Sequence, residues 1–196
     1  MKKTVWLVVL SLFLAAAARA EFSFFLIDNF EGGKTDKWYR FGNLDMSAVK
    51  VPSLEAGVQD TIADSCGDYA LKLKGKTTNW YIGGIGTELM TDAKQFSRFQ
   101  MDVNGYPSGG KIKIELFGSG GATKCVAEVP ILGQGYTRIS IPFSAFKPET
   151  PSAGADGWRP GKSDGSSYLQ NVQLILLAAQ ATGEAEADID NILLTY

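Results

Sequence analysis

Apolar and polar residues alternate with a period of two along most of this chain, as they do in strands that bury one face and wet the other. Residues 70–74 place Leu71 and Leu73 on one side and Lys72 and Lys74 on the other. Residues 98–104 send Phe99, Met101 and Val103 inward and Arg98, Gln100, Asp102 and Asn104 outward. Residues 111–116 repeat the pattern, with Ile112, Ile114 and Leu116 inward and Lys111, Lys113 and Glu115 outward. Segments at 137–141, 172–177 and 188–195 continue the series, separated by Gly, Asp, Asn and Ser. The pattern predicts an all-β domain. Helical signals are confined to one turn at 144–146 and another at 91–96. The connector 105–110 is short enough for a hairpin, which would bring the two polar rows on either side of it onto one surface. The glycine-rich tracts at 83–86 and 118–121 are followed by neither Lys-Ser/Thr nor an amphipathic helix, so they read as turns or bulges rather than phosphate cradles. Trp38 and Trp80 read as core residues. Because Trp80 and Tyr81 alternate, at most one of them faces a given side.

The first residues do not belong to this pattern. Lys2 and Lys3 precede an apolar run at 5–17, and Ala18-Arg19-Ala20 is a small-x-small cleavage site. This predicts a secretory signal peptide of bacterial type over residues 1–20 and a mature domain over 21–196. The apolar run is short for a membrane-spanning helix, and no comparable run follows it. The expected location is secreted or periplasmic, with no membrane span after signal removal. No linker or fixed-period repeat divides the mature chain.

Composition narrows the chemistry. The chain has no histidine, which excludes Ser-His-Asp and Cys-His catalysis and His-ligated zinc or copper. Its 19 basic and 21 acidic residues give a net charge of −2, and loss of Lys2, Lys3 and Arg19 takes this to about −5. An acidic domain without basic clusters is a poor partner for nucleic acid. In an oxidising compartment Cys66 and Cys125 read as a disulfide closing a loop of about 59 residues, or as two separately buried thiols. Residues 147–167 form the longest irregular stretch and carry Trp158, either as part of a functional loop or as a ring packed down as a lid.

Four motifs in order then resemble a known superfamily: Leu26-Ile-Asp-Asn-Phe-Glu-Gly-Gly33 followed by Trp38, Cys66-Gly-Asp-Tyr-Ala-Leu-Lys-Leu-Lys-Gly75, Tyr136-Thr-Arg-Ile-Ser-Ile-Pro-Phe-Ser-Ala-Phe146, and Ala187-Asp-Ile-Asp-Asn-Ile-Leu-Leu194. They are similar to the galactose-binding-like β-jelly-roll superfamily. Within it they most resemble family-eleven carbohydrate-binding modules and the complex I intermediate-associated protein 30 domain. The resemblance covers nearly the whole mature chain. It implies a two-sheet antiparallel β-sandwich with adjacent N- and C-terminal segments.

The resemblance also implies two sites. Where Phe30-Glu31 meets Ile189-Asp190, such jelly rolls hold a structural calcium. Glu31 and Asp190 would be its ligands, with backbone oxygens from 66–68 and with Asp28 and Asp188 nearby as substitutes. The alternative is that Glu31 bonds backbone amides and Asp190 ends a ladder. On the concave sheet face the resemblance places a sugar site. There Gln100, Asp102, Asn104, Lys111, Lys113 and Glu115 would meet hydroxyls, while Tyr81, Tyr106 and Trp158 stack, with Tyr39 and Tyr168 as further rings. A polar outer face is also what any half-solvated sheet presents.

Catalysis finds little support. Asp102 and Glu115 could be pictured as a glycosidase pair on neighbouring strands, but charge pairs with Lys111 and Lys113 explain them more simply. The expected function is a secreted, non-catalytic, carbohydrate-binding-module-like protein whose partner is a glycan or polysaccharide. The alternative is a structural or assembly protein of the cell envelope that uses the same sandwich to contact envelope proteins.

Overall fold

The computed structural model describes residues 24–51, 69–118, 124–149 and 168–196. The signal-peptide segment, Cys66 and Trp158 lie outside these residues. The described residues form twelve strands: β1 (Phe25–Asp28), β2 (Tyr39–Gly42), β3 (Leu44–Lys50), β4 (Tyr69–Thr77), β5 (Tyr81–Asp92), β6 (Arg98–Gly105), β7 (Lys111–Gly118), β8 (Cys125–Pro130), β9 (Tyr136–Pro142), β10 (Lys147–Pro148), β11 (Tyr168–Leu177) and β12 (Gly183–Thr195). They assemble into two antiparallel sheets. The first runs β3-β4-β12-β6-β9, with β1 beside the end of β12; the second runs β10-β8-β7-β11-β5-β2. The expected two-sheet sandwich is what the chain forms.

The alternation places the inward residues as the sequence predicts. Phe99 and Met101 of β6, Ile112, Ile114 and Leu116 of β7, and Leu71 and Leu73 of β4 are all buried in one core between the sheets. Phe99 meets Phe146 edge-on at 6.4 Å between ring centres. Trp38 is buried as expected, and its indole N–H donates to Asp28 Oδ2 at 2.8 Å. The first and last strands, β1 and β12, are adjacent as expected, because Phe25 pairs with Leu194 and Asp28 with Ile192. The turn expected at 144–146 is a 3-10 turn over Phe143–Ala145. That expected at 91–96 is the end of β5 followed by one hydrogen-bonded turn, in which the Phe96 N–H donates to the Ala93 carbonyl.

Three expectations are corrected. First, the connector 105–110 is not a hairpin within one sheet. β6 lies in the first sheet and β7 in the second, so the connector crosses the end of the sandwich and the two polar rows face in opposite directions. Both strands still bury their apolar parity, since period two fixes which side of a strand is wet but not which sheet the strand joins. Second, Trp80 is not core: it is 58% exposed, at the β4–β5 turn with a left-handed φ of 67°. That turn breaks the strand alternation and leaves Tyr81 exposed as well. Third, the tract at 83–86 is not a turn but lies within β5, and the bulge reading holds only at Gly83; of the tract at 118–121, all but Gly118 lies outside the described residues. The β5–β11 register slips once beside Gly83, but Gly84 and Gly86 are paired in regular ladder positions.

Candidate functional site

The pairing registers define a row across the outer face of the second sheet. Tyr39 of β2 pairs with Gly86 of β5, Gly86 with Gln173 of β11, Gln173 with Glu115 of β7, Glu115 with Val126 of β8, and Val126 with Lys147 of β10. The neighbouring row runs Phe41, Gly84, Ile175, Lys113 and Glu128. Aromatic rings thus stand at one edge, amides in the middle and charges towards the other edge.

The glycines explain how the rings lie. A β-carbon at Gly86 would be 2.3 Å from Cζ of Tyr39, and one at Gly84 would be 2.6 Å from Cζ of Phe41. Both rings therefore lie against bare backbone, the close approach that glycine inside a strand permits. The two rings are 6.2 Å apart between centres. Tyr39 remains 45% exposed, and its hydroxyl accepts from Asn171 Nδ2 at 3.1 Å and Gln173 Nε2 at 2.9 Å. Two amides thus fix an exposed ring in one orientation.

Beyond the amides, four charges close a ring. Lys113 Nζ lies 2.7 Å from Glu115 Oε1 and 2.7 Å from Glu149 Oε1. Lys124 Nζ lies 3.0 Å from Glu115 Oε2 and 2.7 Å from Glu149 Oε2. Glu115 is 1% exposed, which the two ammonium groups make tolerable. Bonds from Lys113 and then Lys124 hold the Glu149 carboxyl below its usual value. Burial pulls both lysines down, but the glutamates outweigh it and leave them raised. Lys124 also lies 5.8 Å from the Phe117 ring centre.

The remaining expected site residues do not join this face. Gln100, Asp102 and Asn104 are on the first sheet, and their polar atoms are engaged there. Gln100 Nε2 donates to Thr195 Oγ1 at 3.1 Å, and Asn104 Nδ2 donates to Asp188 Oδ2 at 3.1 Å. Asp102 is fully buried, gripped by Arg138 through both carboxylate oxygens and by Asn191 Nδ2 at 3.0 Å. Asp102 and Glu115, on different sheets, form no catalytic pair. Tyr106 donates to Asp188 Oδ2 at 2.9 Å and accepts from Lys72 at 2.7 Å, which leaves it inside a polar lattice rather than free to stack. Tyr81 lines a separate cleft at the end of the sandwich. Of the expected set, Tyr39, Lys111, Lys113 and Glu115 lie on the second-sheet face, and Tyr168 opens β11 of the same sheet.

Asn171, Gln173, Lys124 and Glu149 are the partners that sequence reasoning missed. One signal pointed to the platform: Gly84 and Gly86 share a parity within a strand, which implies that something lies on them.

Glu31 and Asp190 belong to a different region, where bulges interrupt the β1–β12 and β12–β6 ladders. Phe30 and Asn191 both have left-handed φ, at 56° and 46°. Asp190 is fully buried; its Oδ1 accepts from the Asn191 N–H at 2.7 Å, while its Oδ2 and the Asn191 Oδ1 have no hydrogen-bond partner. Burial pushes the Asp190 carboxyl up to about 8, aided by the charges of Asp102 and Glu31 against the pull of Asn191 and Arg138. Two orphaned buried oxygens with Glu31 nearby are donors of the kind a hard cation takes, while the Asp102 carboxylate is already held by Arg138. Among the described residues, however, no group of three or more acidic or thiol side chains converges as a ready-made metal cage.

Comparison with solved structures shows what frame carries these features. A family 11 carbohydrate-binding module from Clostridium thermocellum, solved with a β-1,3-1,4-mixed-linked tetrasaccharide, matches at a TM-score of 0.59 and 17% identity, over 88% of this chain and 95% of its own. The fold is a galactose-binding-like β-jelly roll. A family 11 module of a cellulosomal cellulase from the same organism matches this jelly roll at 0.57 and 17% identity, over 90% of this chain and 96% of its own. An exo-β-agarase matches at 0.62 and 13% identity over 88% of this chain, which corresponds to 25% of that enzyme. No family model matches the sequence, and no curated protein matches it.

Proposed function

We propose that this protein is a non-catalytic, secreted glycan-binding module whose ligand lies across the outer face of the second sheet. The observation that carries the reading is the Tyr39 ring, exposed, laid over Gly86 and locked by Asn171 and Gln173. A pyranose offers an apolar C–H face and a fringe of hydroxyls, and the face offers a fixed ring beside planar amides and charged groups. That is the combination of apolar surface and few polar groups that ligand sites use. Lys113, Glu115, Lys124 and Glu149 bound the face on the far side. The similarity to a module solved with a mixed-linked tetrasaccharide supports a β-linked glucan as the first ligand to test.

Calcium is part of the same proposal. Glu31 and Asp190 would supply its charged ligands and Asn191 Oδ1 a neutral one. The ion's contribution would be structural, joining the N-terminal segment to β12.

The test is migration of the full chain through native gels containing soluble β-1,3-1,4-glucan. Retardation that is lost in Tyr39→Ala supports the face. Retardation that survives in Tyr39→Ala would move the ligand elsewhere, and its absence across a broad polysaccharide panel would remove the glycan reading.

A further inference from the structure

At one end of the sandwich three connectors cross between the sheets side by side. They are the β2–β3 turn at Gly42 and Asn43, the β4–β5 turn at 78–80 and the β11–β12 loop at 178–182. Backbone bonds tie them together. The Asn43 N–H donates to the Ile82 carbonyl at 2.7 Å and the Trp80 N–H to the Ala181 carbonyl at 2.9 Å, while the Trp80 carbonyl accepts from Ala178 at 2.9 Å. Between them lies a cleft of about 790 Å³ whose walls include Asn43, Thr78, Asn79, Tyr81, Thr182 and Glu184.

The turn at the mouth of this cleft is made by Trp80, whose N–H and carbonyl are both bonded to the β11–β12 loop. Trp80 holds a left-handed φ of 67°, a conformation that costs a bulky side chain and that a glycine or asparagine would adopt more readily. Its ring nevertheless stays 58% exposed, so the strain is not repaid by burial in the core. The turn it makes places Asn79 and Tyr81, its two neighbours, on the cleft wall together. Tyr81 thereby stays 41% exposed on the wall, a ring the core does not use. The wall also carries the exposed Thr78 and Thr182, while its opposite charges, Lys76 and Glu184, neutralise each other at 3.4 Å.

We infer that this cleft is a second sugar-binding site, separate from the Tyr39 face. The Tyr81 ring receives one pyranose of a neutral β-linked oligosaccharide, and Thr78 and Thr182 bond its hydroxyls. The inference rests on the glycan-binding reading of the protein but not on the same residues. Two sites on one module would raise avidity for a long polysaccharide beyond either site alone.

The experiment is a titration of the ¹⁵N-labelled full chain with β-1,3-1,4-mixed-linked tetrasaccharide, read by NMR. The Trp80 indole and Asn79 amide report on the cleft, and the Asn171 and Gln173 side-chain amides report on the face. Both sets should shift. Tyr81→Ala, and independently Thr182→Ala, should weaken the cleft response, at least tenfold for Tyr81→Ala, and leave the face response unchanged; Tyr39→Ala should do the reverse. Face signals that move while Trp80 and Asn79 stay still would overturn the second site and leave the face reading intact. Loss of both responses in Tyr39→Ala alone would also overturn it, since there would then be one site. If neither set moves, both readings fall.

Discussion

A β-carbon at Gly86 would meet only the far end of the Tyr39 ring, at 2.3 Å from Cζ and Oη. The ring sits on an edge strand and can swing aside, so Gly86→Ala should fold normally and yet lose the platform. Its melting temperature is expected to stay within a few degrees of wild type, while glycan affinity falls at least tenfold, about 1.4 kcal/mol. Gly105 offers the opposite case. A β-carbon there would stand 1.7 Å from the Leu132 carbonyl oxygen, backbone that cannot swing away. Gly105→Ala should cost about 2 kcal/mol in urea denaturation through overpacking, whatever it does to binding. Gln100 separates the two faces of the sandwich in the same way. Its amide is spent on Thr195, so Gln100→Ala should leave affinity unchanged; a clear loss would return the site to the first sheet.

At the scale of strands and sheets, the alternation of β4, β6 and β7 was legible in the sequence, down to which apolar residues are buried. The sheet that each strand joins was not. A six-residue connector such as 105–110 serves equally as a hairpin or as a crossover, and the choice is made by long-range pairing of β6 with β12 and of β7 with β11. The buried charges were hidden for a related reason. Asp102 reads as an outward polar residue by parity, but Arg138 on β9 covers it from 36 positions away. Asp102→Ala, which strands that guanidinium, should cost about 3 kcal/mol without changing sugar binding. The Lys-Glu ring on the second sheet yields a pH signature. Lys113 and Lys124 hold the Glu149 carboxyl below 4.5, its value without partners. Its ion pairs therefore stabilise the native state above that pH and lose the contribution as pH falls through the depressed native value. The stability difference between wild type and Glu149→Gln should be present at pH 7 and vanish in acid. A difference that persists unchanged at pH 2 would contradict the assignment.

For the molecule as a whole, two claims can be tested independently. If Glu31 and Asp190 hold calcium, a chelator should lower the melting temperature, because an ion bound only to the native state stabilises it by mass action. In Glu31→Ala, chelated and calcium-loaded samples should melt alike. Equal melting of the unmutated protein in both conditions would leave Asp190 as a protonated ladder residue without a metal. The central claim is that the jelly roll presents a glycan platform on its second sheet. Calorimetric titration of the full chain with β-1,3-1,4-mixed-linked tetrasaccharide, comparing wild type with Tyr39→Ala and Gly86→Ala, addresses it most directly. The account predicts measurable binding by wild type and at least tenfold weaker binding by both variants, with all three equally folded by circular dichroism. Equal affinity in all three proteins, or no binding by any, would contradict it.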